Sequence, residues 1–384
     1  MFLPDDSASD TFAVLVLGGG LAGLAVALDL ARRGVRVAVV ERRAYPFHRV
    51  CGEYVSNEVL PYLRRLGADP AELGPARITQ FLLSSPAGRT LTSPLDLGGF
   101  GVSRYQLDAF LAARARAAGV ELVLPATASA VAYDPATDQH RVTLADGREL
   151  TARLVLGTYG KRTALDRQLG RQFFSQRSPY LGVKYHLRLP GLPRNLIALH
   201  NFRDGYAGIS AVEGERVCFC YLSTRARLKA AGGSIAALEG EELARNPLLA
   251  DILTHAERLY AQPEVINEIS FASKPCVEQH VLMVGDAAGL ITPLCGNGMA
   301  MALHGAALAA PLAAAFVRGE LPRPALEAAY ARAWRRHFAG RLQVGRAVQR
   351  LFGGPQLTEL VVGTLRHWPA AVRALMRRTH GTEF

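Results

Sequence analysis

The hydrophobic pattern of this chain changes period within its first uncharged stretch. Residues 11–28 carry no charge. Phe12 to Leu17 is a continuous apolar run rich in Val and Leu, long enough for one buried strand and too short for a core helix. From Leu21 the apolar residues recur at helical spacing (Leu24, Ala25, Leu28, Ala31), and Gly34 ends that helix. Val35 to Val40 forms a second buried strand. By length alone, residues 11–28 resemble a membrane span, but a strand, turn and helix account for them better.

Further along, Ser56 is placed to cap a helix carrying Leu60, Leu63 and Leu66, and Ser103 to cap one running to Gly119. Val131 to Tyr133 and Arg141 to Leu144 flank a polar turn, and Asp146-Gly147 marks a hairpin before the apolar strand Leu154 to Leu156. Between 180 and 222 the pattern becomes that of an antiparallel sheet, with strands around 182–189, 197–202, 206–212 and 216–222. Alternation there puts Val217, Phe219 and Tyr221 on one face and Cys218 and Cys220 on the other. A buried strand ends at Gly285, and a long Ala-rich helix starts at Gly296 to Met299.

The turn between the first strand and helix holds the chemistry. Gly18, Gly20 and Gly23 have G-x-G-x-x-G spacing. The first permits a tight turn, the second lets backbone approach a pyrophosphate, and the third lets helix pack closely on strand. The helix start offers unpaired amides and the positive end of its dipole to phosphates. Glu41 closes the second strand, where a carboxylate accepts both hydroxyls of an adenosine ribose. Strand before, helix after and acid about 20 residues on are all present, as the dinucleotide fingerprint requires. A glycine-rich turn without ligand is the competing reading. NAD and FAD share this first half, so it leaves the dinucleotide open.

Length and charge narrow the class. With 384 residues, about half of them hydrophobic, the chain suffices for one large α/β unit or two intimately joined domains. The acidic, polar start resembles neither a secretory signal nor a transit peptide. Five cysteines, Cys51, Cys218, Cys220, Cys276 and Cys295, lack zinc-type spacing and suit a reducing cytoplasm. The net charge of +11 is uneven: twelve arginines against four glutamates lie from Arg318 onward. No nucleic-acid motif accompanies that charge. Basic helices bearing Trp334, Phe338, Leu351, Phe352 and Trp368 are either a solvated face or a peripheral contact with an anionic membrane.

A second motif, Gly285-Asp286-Ala287-Ala288-Gly289 followed by Pro293 and by Cys295 to Met299, gives the first its context. Asp286 is placed to accept hydrogen bonds from a ribityl chain. The helix start at Gly296, Asn297, Gly298 and Met299 points positive potential at flavin N1 and O2. Gly18, Gly20, Gly23 and Glu41, the Ser103-Arg104 helix and this second motif occur in an order that resembles the FAD-dependent monooxygenase and geranylgeranyl-reductase superfamily, built on the aromatic-hydroxylase fold. The likeness covers roughly residues 12–310.

The resemblance implies a non-covalent FAD extended between the two motifs, with Arg104 near its phosphates. Arg42 follows the ribose acid, and the loop Arg49 to Glu53 borders the flavin ring. The implied fold is α/β. A Rossmann-type FAD-binding domain (1–175 and 265–320) carries an inserted antiparallel β-sheet substrate domain (176–264, with part of 60–100) and a helical C-terminal segment (321–384). One element departs from the family: a middle Asp-Gly should fall near 157–162, where this chain has Tyr159-Gly160-Lys161-Arg162. That puts direct use of NAD(P)H in question, although NAD(P)H is the expected reductant.

The implied activity is a cytoplasmic FAD-dependent oxidoreductase, foremost a monooxygenase of a hydrophobic aromatic or polyketide-like substrate. Reduction of lipid or prenyl double bonds is the alternative, and Cys51 in an Arg-x-Cys-Gly-Glu setting is reminiscent of that branch. A halogenase of the tryptophan type would carry W-x-W-x-I-P, but both tryptophans lie far downstream. A flavin-binding protein without turnover is the reading from another class. Cys51, Pro293 and Cys295 are expected to line the active site, with Cys51 and Cys295 facing each other across the flavin.

Overall fold

A computed structural model describes residues 10–292, 296–351, 354–379 and 381–384. Two sheets organise them. The first runs in the order Val277–Glu278, Val281–Met283, Glu149–Gly157, Thr11–Leu17, Val37–Val40 and Glu121–Val123, parallel from Val281–Met283 onward, with Val277–Glu278 antiparallel at its edge. Thr11–Leu17 lies at its centre, paired in parallel with Val37–Val40 on one side and Glu149–Gly157 on the other. Phe12–Leu17, Val37–Val40 and the end of the third strand, Leu154–Leu156, read as apolar runs because they are buried on both faces. The hairpin Ala128–Asp134 and Gln139–Leu144 continues from Glu149–Gly157 in antiparallel fashion.

Helix Leu21–Arg32 packs against helix Gly298–Val317, and both are largely buried. Gly298–Val317 is long and apolar enough to cross a membrane, yet most of it is enclosed by the rest of the protein. Its Ala-rich surface lets the two helices approach closely. Leu21–Arg32 starts at Gly20 without a side-chain cap and without an acid in its first turn, so its leading amides remain available to a ligand. Gly34, at φ +75°, ends the turn after it in the left-handed conformation.

The second sheet runs Glu257–Arg258, Tyr180–Arg188, Val217–Thr224, Gly205–Ala211, Leu196–Phe202, Ala76–Ser84, Thr90–Gly101 and Tyr54–Ser56. Glu264–Asn267 also pairs with Tyr180–Arg188. All its pairings are antiparallel except that between Leu196–Phe202 and Ala76–Ser84. Three of these strands precede the inserted segment and one follows the boundary expected near residue 264. The sheet is therefore assembled from distant parts of the chain. Alternation holds as expected: Val217, Phe219 and Tyr221 face a core with Leu181, Val183, Tyr185 and Leu187, while Cys218 and Cys220 face away from it.

Three helices follow, Arg323–Leu351, Pro355–Leu365 and Pro369–Thr379. Val362, Leu365, Val372, Leu375 and Met376 from the last two pack over Leu83, Leu91, Leu199 and Leu222 of the second sheet. The basic C-terminal segment thus has an apolar underside that covers the sheet.

Candidate functional site

The two sheets and the last two helices enclose a cavity of about 990 Å³. It runs from the glycine-rich turn, past the loop Arg49–Glu53, to the aliphatic face of the second sheet. Single ligand pockets span roughly 300–1,000 Å³, so this is the upper end of that range.

At the first end, the turn is tight because backbone meets backbone. A Cβ on Gly18, whose φ is +109°, would lie 2.6 Å from Tyr159 Cα and 2.8 Å from Thr158 O. Thr158 Oγ1 donates to Gly18 O (2.6 Å) and Leu17 O (3.0 Å), fixing the strand Glu149–Gly157 against the turn. At Gly20 a Cβ would meet only Arg104 Nη2, at 3.6 Å. The backbone there borders open cavity. Glu41 Oε2 accepts from Gly19 N (2.9 Å) and from Arg49 Nη2 (2.9 Å). Tyr45 Oη donates to Gly19 O (2.6 Å).

Arg104 begins helix Arg104–Ala117, with Ser103 Oγ accepting from Gln106 N. Its guanidinium is bidentate to Asp108 (Nε to Oδ1 2.7 Å, Nη2 to Oδ2 2.8 Å), and Arg49 Nε reaches the same carboxylate at 3.1 Å. Burial disfavours its charge, but Asp108 and the Cys51 thiol outweigh that and raise the Arg104 pKa. Arg104 thus stands beside Gly20 and Arg49 beside Gly19, both held in place by the shared Asp108 carboxylate. Arg42 lies exposed on the rim.

At the second motif, Gly285 adopts φ +68°, and a Cβ on it would come 3.0 Å from Ala22 Cβ of the first helix. Asp286, Gly296, Gly298 and Met299 line the cavity, and Asn297 stands at the helix start. The 3-10 turn Gly285–Ala287 is braced from behind by buried cations. Lys274 Nζ donates to Asp286 O (3.1 Å) and Lys161 O (2.6 Å), bridging both cofactor loops. Burial brings Lys274 down to about 8. Arg171 donates to Ala287 O (2.9 Å) and Pro275 O (2.8 Å) and pairs with Asp166. Tyr159, at the position of the family's Asp, directs its hydroxyl to Asp166 (3.3 Å) and not to the cavity. These braces replace nothing in the cofactor space; they hold its walls.

Cys51 is half-buried and lines the cavity. Arg104 is in electrostatic reach of it, while Arg49 is held by Glu41 and Asp108. Pro293 and Cys295 lie outside the described residues, so the expected facing of Cys51 and Cys295 has no geometry here. Tyr54 comes to 3.5 Å from a Cβ on Gly296, which brings the loop's end to the second motif.

A buried cluster escaped the sequence reading. Glu53, 1 % exposed, accepts from Lys184 Nζ, from His186 Nε2 (2.6 Å) and from the Arg104 amide (2.8 Å). Burial opposes its ionisation, yet Lys184 and His186 hold it down to about 2. The signal was present: in Tyr180–Arg188, alternation places Gly182, Lys184 and His186 together on the face opposite the apolar core. Glu53, His186 and Cys218 also have metal-ligand spacing, but the Lys184 ammonium already neutralises the carboxylate a cation would need.

An extended cavity between a glycine-rich helix start and a second motif bearing Asp286, with converging arginines, defines an FAD-binding oxidoreductase. The residues fit the cofactor because Gly20 leaves open backbone toward the space where the pyrophosphate would lie. The chain belongs to the FAD binding domain family, which matches residues 11–342. It is 26% identical to a menaquinone reductase of Mycobacterium tuberculosis over 327 residues, 80% of this chain and 77% of that protein. A tryptophan 2-halogenase of Chondromyces crocatus is 24% identical over 85% of this chain and 65% of its own. In fold it is similar to a geranylgeranyl bacteriochlorophyll reductase-like protein from Thermoplasma acidophilum (TM-score 0.79, 17% identity, 96% of this chain and 95% of that one).

Proposed function

We propose that this flavoenzyme reduces a carbon–carbon double bond in a long, apolar, prenyl-like substrate. The observation that carries this reading is the wall of the cavity beyond the cofactor. Phe81, Leu83, Leu91, Ile197, Leu199, Leu222 and Ile266 line it from the sheet, and Leu365, Val372 and Leu375 from the helices. Such a surface binds by burying apolar area, at about 25 cal/mol per Å², and offers little to orient a small polar ring. The likeness to a menaquinone reductase supports the same substrate class.

Gly18, Gly20, Glu41, Arg42, Arg49 and Arg104 would hold the dinucleotide half of FAD, and Asp286 with Gly296 to Met299 the ribityl and ring end. Reduced FAD would supply a hydride at this site when bound, and the proton that completes the saturated bond would come from solvent. The protein's part is to exclude water with its aliphatic walls and to present the Cys51 edge of the cavity to the substrate. NAD(P)H or another donor would reduce the flavin. The exposed surface of the last two helices would rest on the membrane that holds such a substrate.

Monooxygenation of a hydrophobic aromatic is the second reading, favoured by Phe81 and Tyr206 in the same wall. Turnover with a polyprenyl quinone and a chemically reduced flavin, with oxygen removed, separates the two. Anaerobic saturation of a double bond supports reduction; product formed only with oxygen overturns it.

A further inference from the structure

We infer that Glu53 is a positioning residue: its buried carboxylate sets the Cys51 wall of the cavity by locking the loop Arg49–Glu53 onto the second sheet. Three observations converge on this residue. Its backbone has φ +58°, a left-handed conformation that residues other than glycine adopt at a cost and that persists only where the surroundings over-determine it. Its carboxylate is fully buried and bonded three ways, to Lys184, His186 and the first amide of helix Arg104–Ala117. Its own backbone carbonyl accepts from Val102 N (3.1 Å).

The loop is stitched to the same sheet face at every second residue. Lys184 Nζ donates to Arg49 O (3.2 Å), and Cys218 Sγ donates to Cys51 O (3.3 Å). Lys184 therefore holds both ends of the loop, one by a carbonyl and the other by a carboxylate. Glu53 joins the loop, the sheet and the Arg104 helix through one carboxylate, where Arg49 does so through its carbonyl and its guanidinium separately. Cys51, beside Arg104, is carried between these anchors.

The charges are fixed and not mobile. Burial works against the Lys184 charge, but Glu53 outweighs it and raises the Lys184 pKa, while Lys184 and His186 hold Glu53 low. A carboxylate that stays ionised and an ammonium that stays protonated do not pass protons. Their work is geometric. A buried pair of this kind adds little net stability over apolar residues but penalises the loss of one partner. It keeps the loop in one place against the cavity.

This goes beyond the substrate assignment and holds for either chemistry, so its test reads the loop directly. The experiment measures the alkylation rate of Cys51 by iodoacetamide, mapped by peptide mass, in FAD-loaded full-length protein well below its melting temperature. In Glu53→Gln the loop is released and Cys51 should react at least tenfold faster. In the double variant Glu53→Gln/Lys184→Gln the unpaired ammonium is gone, so the melting temperature should recover most of its loss while alkylation stays fast. Glu53→Asp keeps the charge but is one methylene short, and should give an intermediate rate if the single Gln variant fails to fold. Wild-type alkylation rates in a folded Glu53→Gln or Glu53→Asp protein would overturn the inference. So would a double variant in which melting temperature and alkylation rate return to normal together, because that is the behaviour of a purely stabilising pair.

Discussion

Adding one methyl group at Gly18 and one at Gly20 should separate folding from cofactor binding. At Gly18 a Cβ would sit 2.6 Å from Tyr159 Cα, about 1 Å inside an ordinary carbon–carbon contact of roughly 3.5–4.0 Å. Both partners are backbone, so the turn or the strand Glu149–Gly157 must move. Overpacking of this kind costs about 1–3 kcal/mol. The φ of +109° adds a backbone penalty of about 1–3 kcal/mol for a residue with a Cβ. Together they reach about 2–6 kcal/mol, a large part of a typical stability of about 5–15 kcal/mol. At Gly20 the backbone is extended, with φ −87° and ψ −172°, and a Cβ would touch only Arg104 at 3.6 Å. Gly20→Ala should therefore melt like the wild-type apoprotein, within about 0.5 kcal/mol. Its methyl would stand in the approach of the pyrophosphate, lowering FAD affinity by about 1–3 kcal/mol, or roughly 5- to 150-fold. The assay pairs urea unfolding of the apoproteins with FAD titration followed by flavin fluorescence. A Gly18→Ala protein as stable as wild type, or a Gly20→Ala protein with unchanged FAD affinity, would refute the assigned roles of the turn.

Acid should unfold the protein early, because His140, His200 and His304 are buried and burial depresses their pKa values to about 4, 4 and 3. Their folded values lie below the unfolded value of about 6.5, so the unfolded chain binds more protons between those limits and stability falls as pH drops through that window. For His200 the loss from pH 7 to pH 5 is about 2 kcal/mol, and His200→Gln should shrink that gap in urea melts by a similar amount; an unchanged gap would remove His200 from the account. The C-terminal hairpin should bind anionic vesicles, since Leu357, Leu360 and Trp368 are exposed there beside Arg366 and Arg377. Flotation should weaken with salt and with Trp368→Ser; equal binding to neutral vesicles, or none to either kind, would leave the hairpin as a solvated face.

What the sequence determined by itself was local. The period switch between Phe12–Leu17 and Leu21–Arg32 requires a strand and a helix, and the glycines between them can serve only a tight turn with open backbone. Glu41 and Asp286 were legible as candidates because each comes shortly after a buried strand, where the chain emerges at the edge of the sheet. The antiparallel strands from 180 to 222 were legible from alternation. A contribution to that sheet from part of 60–100 was expected from the resemblance, but neither Tyr54–Ser56 nor the pairings of Ala76–Ser84 and Thr90–Gly101, far apart in the chain, could be read from the pattern. Pairing of that kind is chosen by which apolar faces can be buried together, which no local pattern contains. The same limit hid Glu53, Lys184 and His186. A lysine and a histidine alternating in a strand read equally well as a solvent face, and only the loop folded over that face turns them into a buried charge cluster. Arg49 and Arg104 show the remaining ambiguity. Both were readable as cations near the cofactor, but that they share the carboxylate of Asp108, one turn along a helix that meets the loop only in the folded chain, was decided by the tertiary structure.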